Sequence, residues 1–157
     1  MEAYVRRDGD GEALWFLGSL VTVKATGRET RGRLTVVEFV NPAGFAPPVH
    51  RHVDEDEMFY VLDGTARYHC GEQTFEAGPG DFVLLPAGIP HTFLVGPDGP
   101  LRTLQLTVPS GFEGFAAAAG TPAAQRRLPD PQAVDPAALA EAAARHGIEL
   151  LGPPPTP

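Results

Sequence analysis

Between Leu14 and Val108 the chain is cut into short apolar or alternating runs by turns rich in glycine and proline, and almost none of it reads as helix. Eight or nine such strands at regular spacing predict an all-β barrel or sandwich. Residues 1–13 are polar and Gly-rich and read as an irregular arm, and Leu14-Trp15-Phe16-Leu17 starts the ordered part. Gly18 to Ala25 follows as a strand, Thr26 to Gly32 as a turn region, and Arg33 to Val40 as the next strand. Later strands are expected at 65–70, where alternation puts Ala66, Tyr68 and Cys70 on a core face, at 73–77, and at 101–108. A single domain of 157 residues buries roughly 70% of its unfolded surface, so its core needs no covalent staples.

Chemistry concentrates in Gly44 to Gly64. His50 and His52 are one residue apart, so on a strand both imidazoles point to one face and Arg51 to the other. The acidic turn Asp54-Glu55-Asp56 follows, then Glu57 opens the apolar run Met58 to Leu62. If that run returns beside the first strand, Glu57 shares the cavity with the two histidines, a donor set that suits a divalent transition metal. A fourth ligand is available in Gly80 to His91. Asp81 to Leu85 is a strand, Pro86 stops it, Gly88 permits a tight turn, and His91 starts the next strand facing the same way as Phe93. Glu55 and Asp56 are expected to be a solvated turn. His69 lies on the outer face, His146 closes a helix, and Cys70 reads as a small buried apolar residue.

These two stretches resemble the paired motifs of the cupins. The first matches at Gly44, His50, His52, Glu57 and Gly64, the second at Gly80, Pro86, Gly88 and His91, and Val95 stands where the family often has Asn. The resemblance is to small single-domain bacterial cupins of the cupin 2 conserved barrel type, quercetinase-like. It implies a double-stranded β-helix, or jelly-roll barrel, over 14–108, with His50, His52, Glu57 and His91 holding one divalent transition metal ion. Imidazole and carboxylate accept Fe, Mn, Ni, Co, Cu or Zn, so the ion's identity stays open.

The implied activity is a dioxygenase of quercetinase type that consumes dioxygen and a flavonol-like or other aromatic or enolic small molecule, with Glu57 helping to deprotonate it. Phe45, Phe59 and Phe93 are the candidate pocket residues. Alternatives are a zinc-type polyketide cyclase or isomerase, and a cupin that binds a small molecule without catalysis.

Residues 109–157 hold nine of the seventeen prolines together with alanine-rich runs, and read as a C-terminal extension packing on or beside the barrel. Phe112 to Ala119 is one candidate helix. Asp135-Pro136 ahead of Ala137 to His146 and Gly147 supplies an N-cap, a first-turn proline and a stop for another. A formal net charge of −8 works against nucleic-acid phosphates, and no apolar run is long enough to span a bilayer. The lone Cys70 and the lack of an apolar leader point to a soluble, cytoplasmic protein. A homodimer is expected, with Leu14 to Leu17 as the strand packing on the partner.

Overall fold

Alternation starts the barrel. A computed structural model describes residues 2–156, and in β1 (Ala13–Phe16) Leu14 and Phe16 are buried while their neighbours are half-exposed. Leu17 and Gly18 both take positive φ, the backbone of a tight two-residue hairpin, and lead into β2 (Ser19–Ala25). The expected turn at 26–32 contains a single helical turn, α1 (Gly27–Thr30). Thr26 and Glu29 cap each other's backbone there, a Thr-x-x-Glu signal present in the sequence. Glu29 also receives Arg6, which ties the N-terminal arm down onto the barrel.

The middle strands are β3 (Thr35–Asn41), β4 (Val49–His52), β5 (Asp56–Asp63), β6 (Ala66–Cys70) and β7 (Gln73–Ala77). They are followed by β8 (Phe82–Leu85), β9 (His91–Val95) and β10 (Leu101–Val108). Beyond the barrel come α2 (Phe112–Ala119), a short β11 (Thr121–Pro122), α3 (Pro136–Arg145) and β12 (Ile148–Gly152). Asp135 caps α3 by accepting from Ala137 and Ala138 N–H, with Pro136 in the first turn.

Two sheets face each other. The larger runs β11-β1-β2-β3-β10-β5-β8 and the smaller β12-β4-β9-β6-β7, the arrangement of a jelly roll. One core cluster joins Leu14, Phe16, Val37 and Phe39 to Phe112, Phe115, Leu139 and Ile148 of the C-terminal segment. The other lies among Phe59, Val61, Tyr68, Leu85, Phe93 and Val95.

One expectation is corrected. Leu14 and Phe16 are only 3% and 5% exposed, and β1 is paired on one side by β2 and on the other by β11. The stretch is therefore part of this chain's own core and offers no free apolar edge. In β10 the phase is opposite to what its leucines suggest. Thr103, Gln105 and Thr107 are buried inside, while Leu104 and Leu106 turn toward the outer face.

Candidate metal centre

The four candidate ligands arrive on three strands. His50 and His52 stand on β4, His91 opens β9 directly opposite His50, and Glu57 lies in β5 of the other sheet. The cluster therefore bridges the two sheets. Its imidazole rings are 4.5 Å (His50–His91), 5.5 Å (His50–His52) and 5.7 Å (His52–His91) apart, centre to centre. One donor atom from each of the four residues falls within 4.8 Å of all the others. Ligands on opposite sides of an ion with bonds of about 2.0–2.2 Å are roughly 4.0–4.4 Å apart, so the cluster is already near bonding size.

The proton placement decides whether these residues fit a cation. His50 Nδ1 faces Pro48 O at 2.7 Å, His91 Nδ1 faces Ile89 O at 2.9 Å, and His52 Nδ1 faces the Glu55 carboxylate at 2.9 Å. Those oxygens only accept, so each Nδ1 carries its proton and donates. In the neutral tautomer Nε2 then keeps a bare lone pair. His52 Nε2 and His91 Nε2 are buried without a hydrogen-bond partner, yet they sit 3.6 Å and 3.1 Å from the Glu57 carboxylate. Lone pairs and an anion pointed at one another repel unless a proton or a metal ion stands between them. The donor set, two of whose atoms are orphaned, therefore fits a divalent ion.

Charge follows the same logic. Burial pushes the His50 imidazolium down to about 4, against the pull of Glu57 and helped by the neighbouring histidines, which leaves the ring in its ligating, neutral form. Burial also opposes ionisation of Glu57, but the three histidines outweigh it and hold its carboxyl down at about 2. His52 is disfavoured as a cation by burial, and the Glu57 charge together with the Glu55 hydrogen bond outweighs that and raises it.

Two residues around the cluster escaped the sequence-based expectation. Glu55 is not a solvated turn residue: its side chain is 12% exposed and orients His52. Gly111 makes room for it, since a Cβ there would lie 2.4 Å from Glu55 Oε1. Gln105 donates from Nε2 to Glu57 Oε1 at 2.7 Å and fixes the carboxylate's rotation. Such outer partners typically carry about 10- to 100-fold of metal affinity. Glu55→Ala is therefore expected to weaken divalent-ion binding by roughly that factor, measured by titration against a competing chelator; unchanged affinity would show that His52 needs no such support.

The other singled-out side chains lie apart from the cluster. His69 pairs with the Thr74 hydroxyl at 2.9 Å on the outer face. His146 caps α3 beside Phe115. Cys70 is buried, and burial raises its thiol pKa, which keeps it unreactive.

His50, His52 and Glu57 line a cavity that Phe45, Phe59 and Phe93 line as well. Phe16, Phe39 and Phe112 form further wall, as does the C-terminal segment through Leu139, Ile148 and Leu150. Counted to its open mouth the space is about 580 Å³. It is an apolar slot with a polar cluster in its wall.

Fold and cluster together define a class: a small all-β barrel presenting three imidazoles and a carboxylate to one interior point. Residues 36–108 match the family model described as Cupin domain, and the barrel has the cupin fold. The chain is 34% identical over 90 residues to quercetin 2,3-dioxygenase of Bacillus subtilis, a match covering 57% of this chain and 27% of that enzyme. It is 27% identical over 75 residues to an uncharacterized protein of Methanocaldococcus jannaschii, MJ1618, across 48% of this chain and 60% of the other. The chain thus spans only part of both relatives. Among solved structures, the polyketide cyclase RemF from Streptomyces resistomycificus is similar at a TM-score of 0.58 and 25% identity, over 70% of this chain and 81% of that one.

Proposed function

We propose that the protein is a metal-dependent dioxygenase of quercetinase type acting on a flavonol-like or other aromatic or enolic small molecule. One observation carries this reading: three imidazoles and a carboxylate converge beside a slot walled by aromatic rings. When bound, a divalent transition ion supplies Lewis acidity and one-electron chemistry with dioxygen. His50, His52, His91 and Glu57 would hold it. Phe45, Phe59 and Phe93 exclude water and favour an aromatic ring, against which their own rings can pack. Glu57 is the carboxylate among the slot's lining residues and accepts the substrate's hydroxyl proton, with Gln105 fixing its Oε1. A carboxylate is a weak base, so its partner must be acidic, as an enol or phenol beside a cation is. The similarity to the Bacillus dioxygenase supports the reaction class.

The test is dioxygen consumption by metal-reconstituted protein over a flavonol and enol panel. Uptake matched to loss of substrate supports the reading, and no uptake with any metal and substrate removes it. A second reading, a polyketide cyclase or isomerase, is favoured by the coverage of RemF, which exceeds that of the dioxygenase on both chains. Conversion under strictly anaerobic conditions would select it, while tight binding without conversion in either atmosphere would leave a binding protein.

We also infer a homodimer, formed through the outer face of the larger sheet. Tyr60, Phe82 and Leu84 are 43%, 60% and 50% exposed there. They adjoin Met58, Leu104 and Leu106 in register. An apolar patch on the order of a few hundred Å² marks an interaction site, and a flat sheet face suits the self-complementary contact of a two-fold dimer. Sedimentation is expected to show a dimer that Tyr60→Glu with Phe82→Glu converts to monomer; a wild-type monomer at high concentration would end this inference. No helix among the described residues is long and apolar enough to cross a membrane, and a reducing cytoplasm suits the lone buried Cys70.

A further inference from the structure

We propose that the C-terminal strand β12, which lies outside the matched cupin segment, is a working part of the metal centre: it holds the two-histidine strand β4 in place and so sets the affinity of the site for a divalent ion. This rests on the metal-binding reading above.

The pairing pattern carries the argument. β4 has four residues, and toward its barrel neighbour β9 it makes one residue pair, His50 with His91. Toward β12 it makes four: Ile148 with His52, Glu149 with Arg51, Leu150 with His50 and Gly152 with Val49. Val53 N–H extends the ladder by donating to Gly147 O at 2.8 Å. Upstream, Pro47 and Pro48 lack N–H groups and cannot donate to a ladder. Most of the backbone order of the strand that bears two of the four ligands therefore comes from a segment almost one hundred residues later in the chain.

β12 is itself anchored independently of any ion. α3 packs through Leu139 and Ala143, which are 7% and 0% exposed. Gly147, at φ +69, ends the helix and delivers the chain to β12. Ile148 is then buried in the same cluster as Phe16 and Phe112. The two faces of β12 divide the work. Ile148 and Leu150 line the slot, whereas Glu149 points outward and accepts from Arg51 Nε at 2.7 Å. Metal bonds tolerate only about 0.2 Å of displacement. A strand freed to move by more than that loses its ligands' convergence even if the barrel stays folded.

Three variants of the full chain test this: deletion of residues 148–157, Glu149→Pro, and Glu149→Gln. Proline removes an N–H from the ladder and the outward carboxylate while leaving Ile148 and Leu150 in place. Glutamine removes only the charge of a half-exposed pair, which contributes little. Hydrogen exchange is read without metal, and Co²⁺ or Zn²⁺ affinity by chelator competition. The deletion and Glu149→Pro are expected to lose amide protection at 49–53 while β6 and β10 keep theirs, and to bind the ion roughly 10- to 100-fold more weakly. Glu149→Gln should stay within about threefold of wild type on the same scale.

Unchanged protection at 49–53, or unchanged affinity in both disrupted variants, overturns the proposal. Should the deletion fail to fold, Glu149→Pro decides. A wild-type protein that takes up no ion overturns the metal reading and with it the affinity claim, whereas the exchange data still decide separately whether β12 holds β4.

Discussion

Replacing His52 by alanine is expected to abolish stoichiometric uptake of a divalent ion. Four-ligand structural sites bind with about 10–16 kcal/mol, so an equal share per ligand is about 2.5–4 kcal/mol, or roughly 100- to 1,000-fold in affinity. His52 should lie at the upper end of that range. Its loss removes one of three imidazoles and also leaves Glu55, whose carboxylate accepts from His52 Nδ1, without that partner. Metal-to-protein ratios by mass spectrometry, after dialysis against a mild chelator, check this. Wild-type protein should retain close to one ion per chain and the variant almost none; equal retention would place the ion elsewhere.

The largest effect on stability is expected at Phe16. Its ring meets Phe39, Phe112 and Phe115 at 6.2, 5.9 and 5.2 Å, each edge to face or nearly so, and it is 5% exposed. It joins the first strand to α2, so one side chain fastens the C-terminal segment to the barrel. Phe16→Ala removes those contacts and leaves a void in a wall of the slot, at a cost of roughly 3–5 kcal/mol. Against a total of about 5–15 kcal/mol for an ordinary domain, that brings the protein close to unfolding at moderate temperature. Urea denaturation should show a midpoint shifted down by a corresponding amount with a similar slope. A shift under about 1 kcal/mol would mean that the site collapses freely.

How much of this the sequence reveals varies with the kind of signal. Strands punctuated by Gly44, Gly64, Gly80 and Gly88 are legible because a positive φ at each of them is a local demand. The ligand set is legible for a similar reason: His50 and His52 share parity, and His91 begins its strand after a proline and a glycine that stop the previous one. Gln105 is hidden by β10, where Leu104 and Leu106 stand in the phase opposite to burial because the outer face of that sheet is apolar too. Local pattern cannot choose between two apolar faces. Glu55 is hidden among three consecutive acids, of which only the turn's geometry brings one back to His52. The role of Ile148 to Gly152 is the least legible, since its pairing with β4 is a contact across the whole chain and an edge strand carries no local mark of its partner.

The central claim is that three imidazoles and one carboxylate hold a single ion between the two sheets. Diffraction from crystals soaked in Co²⁺ or Zn²⁺, collected across the metal's absorption edge, tests it most directly. One strong anomalous peak is expected at about 2.0–2.2 Å from Nε2 of His50, His52 and His91 and from a Glu57 oxygen. A map with no peak among those four atoms, or with peaks only at surface carboxylates, would contradict the account.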